Sequence, residues 1–139
     1  MLFIFILDLN CCQNVRVNLH GNAKEKYGAR GGLYSMNDNK NGWVSGEYAI
    51  WYSDEDKGWL IGYEKHFQTG KGGIMANGNT KCPPTMKTTN SNPWTYYDKK
   101  NKEWLDGNNE IEVVCGKFSN IMSIILKKIS NHILVYLQH

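Results

Sequence analysis

Residues 47–66, EYAIWYSDEDKGWLIGYEKH, set two aromatic runs on either side of a short polar reversal. In the second run Trp59, Ile61 and Tyr63 share one face by the two-residue period of a strand, while Leu60 and Gly62 share the other. SDEDKG between the runs has turn chemistry at hairpin length, so the stretch predicts a β-hairpin.

Working outward, NVRVNL, GGLYSM, GGIMA, WTYYD and EIEVVC read as further strands, separated by NDNKNG, NGN, NSNP and DGNN turns. NVRVNL alternates Val15, Val17 and Leu19 against Arg16 and Asn18. Nothing between residues 11 and 115 sustains a helical period over three turns. The expected fold is all-β: a small antiparallel sandwich or barrel-like domain of about seven short strands. The segment 85–93, TMKTTNSNP, is expected to be an irregular loop held at its start by Cys82.

A chain of 139 residues has room for one such domain. It carries 16 Lys and Arg against 13 Asp and Glu, and the whole excess is Lys117, Lys127 and Lys128. Residues 1–115 are therefore balanced in charge and lack the basic footprint of a nucleic-acid binder. The four cysteines, Cys11, Cys12, Cys82 and Cys115, have neither CxxC spacing nor nearby histidines, which argues against zinc. Two disulfides fit them better and imply an oxidising compartment, hence a secreted or extracellular setting.

Residues 1–10 form an apolar lead that reads as a signal-peptide remnant, without a basic n-region or cleavage site. The composition changes after Cys115: residues 116–139 hold no Trp and no acid. Two accounts of this tail stand side by side. One is a translated intron, since Gly116-Lys117-Phe118 can be encoded by GGTAAGTTT, which contains a splice-donor consensus. The other is an amphipathic C-terminal helix, with Ile121, Ile124, Ile125 and Leu126 loosely at helical spacing. Lys127 and Lys128 interrupt the apolar run, so membrane insertion is not expected.

No catalytic constellation emerges. TGKGG at 69–73 lacks the Ser or Thr of a phosphate loop and reads as a glycine-permitted turn. SDEDKG lacks the later bidentate Glu of a calcium loop and reads as a solvated hairpin turn. His20, His66, His132 and His139 share no motif with a nucleophile, and Glu110 and Glu112 read as outward-facing strand carboxylates. The expectation is a non-enzyme with no cofactor and no metal. Among the aromatics, Trp59 and Trp94 are assigned to the core, because rings of this size supply much of a small domain's buried area. Trp43, at the exit of the NDNKNG turn beside Asn41 and Ser45, is the chosen surface aromatic; Tyr97, Tyr27 and Trp51 follow it.

In order, CC, VRV, GGLYSM, AIWYS, GWLIG, CPP, WTYYD, EW and IEVVC resemble a module of invertebrate secreted and receptor-like mosaic proteins. That module has a double cysteine, then Gly-x-Tyr, Trp-x-Ile-Gly, Cys-Pro, Trp-x-Tyr and Val-x-Cys steps. The resemblance covers residues 11–115 and departs in the closing EVVC and in the long SMNDNKNGWVSGEY segment. It implies an extracellular building block stapled by Cys11, Cys12, Cys82 and Cys115 that sits beside other modules, and it carries no catalytic role. The functional expectation is a non-enzymatic extracellular interaction module with a protein or glycan partner. The alternative is a lectin-like glycan-binding domain using Trp43, Asn41 and Tyr97. Pairing of the first and last strands brings Cys115 to the double cysteine, whose members point to opposite faces. On that basis Cys12–Cys82 with Cys11–Cys115 is favoured over the swap.

Overall fold

The computed structural model describes residues 11–37, 41–85, 91–116 and 120–137. In chain order its elements are β1 (Asn14–Leu19), α1 (Gly21–Tyr27), a 3-10 turn (Gly28–Arg30), β2 (Gly32–Asn37), β3 (Gly42–Ser45), β4 (Tyr48–Ser53) and β5 (Gly58–Tyr63). A second 3-10 turn (Glu64–His66), β6 (Ile74–Asn77), β7 (Trp94–Asp98), β8 (Glu103–Asp106), β9 (Ile111–Cys115) and α2 (Asn120–Leu137) follow. The apolar lead lies outside the described residues, as do parts of the NDNKNG turn and of the 85–93 loop.

The strands form one antiparallel sheet in the order β8-β7-β6-β5-β4-β3-β2-β1-β9. Because β8 and β9 are the two edges yet are joined by residues 107–110 alone, the sheet must curl until its edges approach. The barrel-like alternative is thus the one formed, as a curled half-barrel. Seven strands become nine: β3 (GWVS) and β8 (EWLD) are four-residue strands too short to show a period, and cross-strand pairing supplies what their own pattern lacks.

The hairpin of residues 47–66 pairs Tyr48 with Tyr63 through Ser53 with Gly58. Val15, Ile50, Trp59, Ile61, Trp94 and Tyr96 belong to the core that fills the concave side. On the convex side Ala49, Trp51 and Leu60 make a smaller cluster with Phe67. Burial on both faces accounts for the unbroken apolar runs AIW and WLI at the centre of β4 and β5.

The helix α1, whose two turns fall below the length that periodicity detects, lies across the seam between the sheet edges. Ala23 and Tyr27, four residues apart, are its buried face. Asn22 Nδ2 donates to the Tyr96 hydroxyl at 3.1 Å, and that hydroxyl lies 3.1 Å from Glu110 Oε2. Glu110 Oε1 accepts the Ala23 amide at 3.0 Å, supplying the N-terminal cap that His20 does not. Glu110 is therefore half-buried and structural, not an outward strand carboxylate like Glu112, which accepts from Asn18 Nδ2.

Two disulfides close the opposite end, Cys11–Cys82 and Cys12–Cys115, spanning 71 and 103 positions. This corrects the favoured pairing to its swap. Strand β1 begins at Asn14, so the double cysteine precedes the regular strand and its alternation does not dictate which sulfur faces which partner. In α2 the described side chains from Ile125 to His132 are exposed, including Ile125, Leu126 and Ile129. No described helix is long and apolar enough to cross a membrane.

Candidate functional site

In a meander, alternate connections gather at alternate ends of the sheet. The connections after β1, β3, β5 and β7 bring together Arg30, Tyr48, the segment from Tyr63 to Gly73, and Lys99. Around them open three adjoining cavities of about 230, 230 and 170 Å3 that share Tyr27 and Lys99.

Arg30 forms the floor. Its residue is only 9% exposed, and its Nη1 donates to the Ile61 carbonyl at 3.1 Å. The guanidinium lies over the rings of Tyr27, Tyr63 and Tyr48, at 4.7, 5.2 and 5.8 Å from their centroids. Cation–π contact of this kind holds a charge without neutralising it. Gly73 makes room for the group, since a Cβ there would collide with the Tyr27 ring and with Arg30 Nη1. The backbone carbonyl of Arg30 in turn accepts the Tyr34 hydroxyl at 2.6 Å.

The rim is cationic. Lys71 and Lys99 border the first cavity, and Lys26 borders the other two. Among the described residues lining all three there is no carboxylate. Asp98 lies nearby but is engaged by Lys26 at 3.0 Å; that hydrogen bond, helped by Asn101 and the Lys100 amide, holds its carboxyl below the usual range. Lys26 is raised by the same bond. Burial pushes the Tyr27 phenol up, so it stays protonated and donates to the Tyr97 carbonyl at 2.7 Å. Glu47 and Glu64 belong to the same end, joined backbone to backbone, outside the cavity lining. Of the acidic run Asp54–Asp56 in the β4–β5 turn, Asp56 reaches Gly70, where a Cβ would collide with its carboxylate, one residue before Lys71.

The residues chosen from sequence are distributed differently. Trp43, expected on the surface, is 3% exposed. Its indole donates to the Cys12 carbonyl at 2.8 Å and its ring meets Trp59 edge-on, because β3 faces it into the concave core. Trp51 is buried under Phe67, and Tyr27, buried with its ring against Arg30, lines all three cavities of the mouth. Asn41 is exposed and lines, with Trp43, Met36 and Lys81, a hollow of about 180 Å3 at the disulfide end. Tyr97 is half-buried at the opposite mouth, so Asn41 and Trp43 share one hollow and Tyr97 another. Trp104, not singled out in the sequence, is the exposed tryptophan at 42%, edge-on to Tyr97 at 5.4 Å. Its exposure follows from the edge position of β8, a four-residue strand that shows no period of its own in the sequence. Arg30, in GAR after a glycine, carries no motif that sets it apart from a solvent-facing cation.

No protein-family model matches the chain, no curated protein matches it in sequence, and no solved structure matches its fold.

Proposed function

We propose that the chain is a non-enzymatic extracellular interaction module that engages its partner at the Arg30 mouth. The observation that carries this reading is the buried guanidinium, met by three tyrosine faces and one carbonyl, at the floor of cavities whose described lining residues include lysines and no carboxylate. Buried charges are ordinarily paired. A mouth that keeps one ready beside further cations is complementary to an anion. Two disulfides support an oxidising, extracellular setting, in keeping with the resemblance to modules of invertebrate mosaic proteins.

The lectin-like alternative moves with this geometry from Trp43, which is core, to the opposite mouth. Probing a panel of glycans and extracellular protein domains with the disulfide-bonded chain tests the reading. Ligands retained by the wild type should be lost by Lys71→Glu/Lys99→Glu, both exposed positions. Binding that ignores this double variant places the site elsewhere.

A further inference from the structure

We propose that the mouth takes an acidic glycan, with the sulfate or carboxylate of one sugar held by Arg30, Lys71 and Lys99 and a neighbouring ring stacked on Trp104. This rests on the mouth being the binding site. The cavity over Arg30, about 230 Å3, is smaller than the roughly 300–1,000 Å3 of sites that engulf a drug-sized ligand. It suits one compact charged unit of a longer ligand. A planar guanidinium with five donors in a fixed fork matches the paired oxygens of sulfate and carboxylate alike, and Lys71 and Lys99 add mobile point charges at the rim.

The second half of the argument is Trp104. Tyr97 lines the cavity, and the exposed Trp104 ring stands against it at 5.4 Å on the neighbouring strand, where the register pairs the two residues directly. Trp104 itself lines none of the three cavities; reached through Tyr97, its exposed ring provides a flat apolar surface one residue beyond the charge. A polymer that alternates a charged group with flat, hydroxylated rings satisfies both features together. An isolated oxyanion satisfies only the first. The charge balance of residues 1–115 argues against the extended cation track that a nucleic acid would need.

Titration calorimetry with the intact, disulfide-bonded chain tests this. The probes are a heparin oligosaccharide, an unsulfated hyaluronan oligosaccharide, neutral cellohexaose and a phosphotyrosine peptide. Expected is binding of one or both acidic sugars, weakening with salt, and no binding of cellohexaose or the peptide. Heparin alone assigns the anion as sulfate; hyaluronan alone assigns it as carboxylate. Lys71→Glu/Lys99→Glu should weaken the acidic sugar about tenfold or more without moving the melting transition. Trp104→Ala should weaken the oligosaccharide but not the matching acidic monosaccharide. Because Arg30 is buried, Arg30→Lys is read only where its melting transition shows it folded, and it should also weaken binding.

Cellohexaose bound as well as the acidic sugars, with loss in the lysine double variant, overturns the acidic class and leaves the mouth as the site. Peptide binding without sugar binding does the same. Acidic-sugar binding untouched by the double variant overturns both readings, and failure of both acidic sugars to bind overturns this inference.

Discussion

Glu110 Oε1 accepts the Ala23 amide at 3.0 Å, so a residue of the turn between the two edge strands caps the helix that lies across the gap between them. The same carboxylate meets the Tyr96 hydroxyl of β7, and the Glu110 carbonyl accepts the His20 amide at 2.7 Å. Glu110→Ala should therefore cost about 1–3 kcal/mol, the range for removing the partner of partly buried donors. Hydrogen exchange should show α1 losing protection ahead of the central strands. Unchanged α1 protection would refute the capping role.

Trp43 is core where a sequence reading puts it on the surface, and Trp104, which that reading passes over, is the exposed tryptophan. Trp43→Ala should cost about 3–5 kcal/mol through the cavity left beside Trp59 and the loss of its bond to Cys12. That is a large share of the roughly 5–15 kcal/mol that holds a domain folded. Trp104→Ala should change stability by only about 0.5 kcal/mol, as exposed positions do. Parallel urea melts of the two variants check the order of these losses.

Asp98 gives the fold an acid-sensitive tie between β7 and α1. The Lys26 hydrogen bond keeps its carboxyl below the ordinary value, so the unfolded chain takes up the proton first. The contribution is fully present above the ordinary carboxylate range and is lost as pH falls through the lowered value. Urea midpoints measured from neutral pH downward should fall less steeply for Asp98→Asn than for the wild type. Equal slopes would remove Asp98 as a source of the acid sensitivity.

The disulfides are open to a direct chemical check. Fragmentation of unreduced peptides by mass spectrometry should give Cys11 linked to Cys82 and Cys12 linked to Cys115. Each closes a long loop, so reduction should remove roughly 4–5 kcal/mol per bridge in the chain-entropy treatment. Reversed linkages would overturn this pairing and restore the one that the sequence favours.

Deleting residues 117–139 should leave the half-barrel's melting transition within about 0.5 kcal/mol of its original stability, because described side chains along α2 face solvent. Solubility should rise as Ile125, Leu126 and Ile129 leave the surface. Sequencing the transcript across the Cys115 codon decides between the two origins of this tail: a spliced message continuing in the same frame excludes a translated intron.

The sequence by itself determined the parts of this protein that depend on local backbone geometry. Alternation at a two-residue period placed Trp59 and Ile61 opposite Leu60 and paired Trp94 with Tyr96 on one face, and the structure keeps both assignments in its core clusters. Turn residues marked the hairpin between β4 and β5, and an even cysteine count marked the staples. Only the tertiary structure decided the fate of Trp43, Arg30 and Glu110. Trp43 sits on a strand of four residues, whose face is set by its neighbours β2 and β4. Arg30 meets Tyr63 and Gly73 because the connections after β1 and β5 reach the same mouth, and Glu110 meets Ala23 because the sheet curls until its first and last strands share a seam. Strand period is a property of consecutive residues. A mouth and a seam come from register and curvature summed over nine strands, and no window of neighbouring residues contains them.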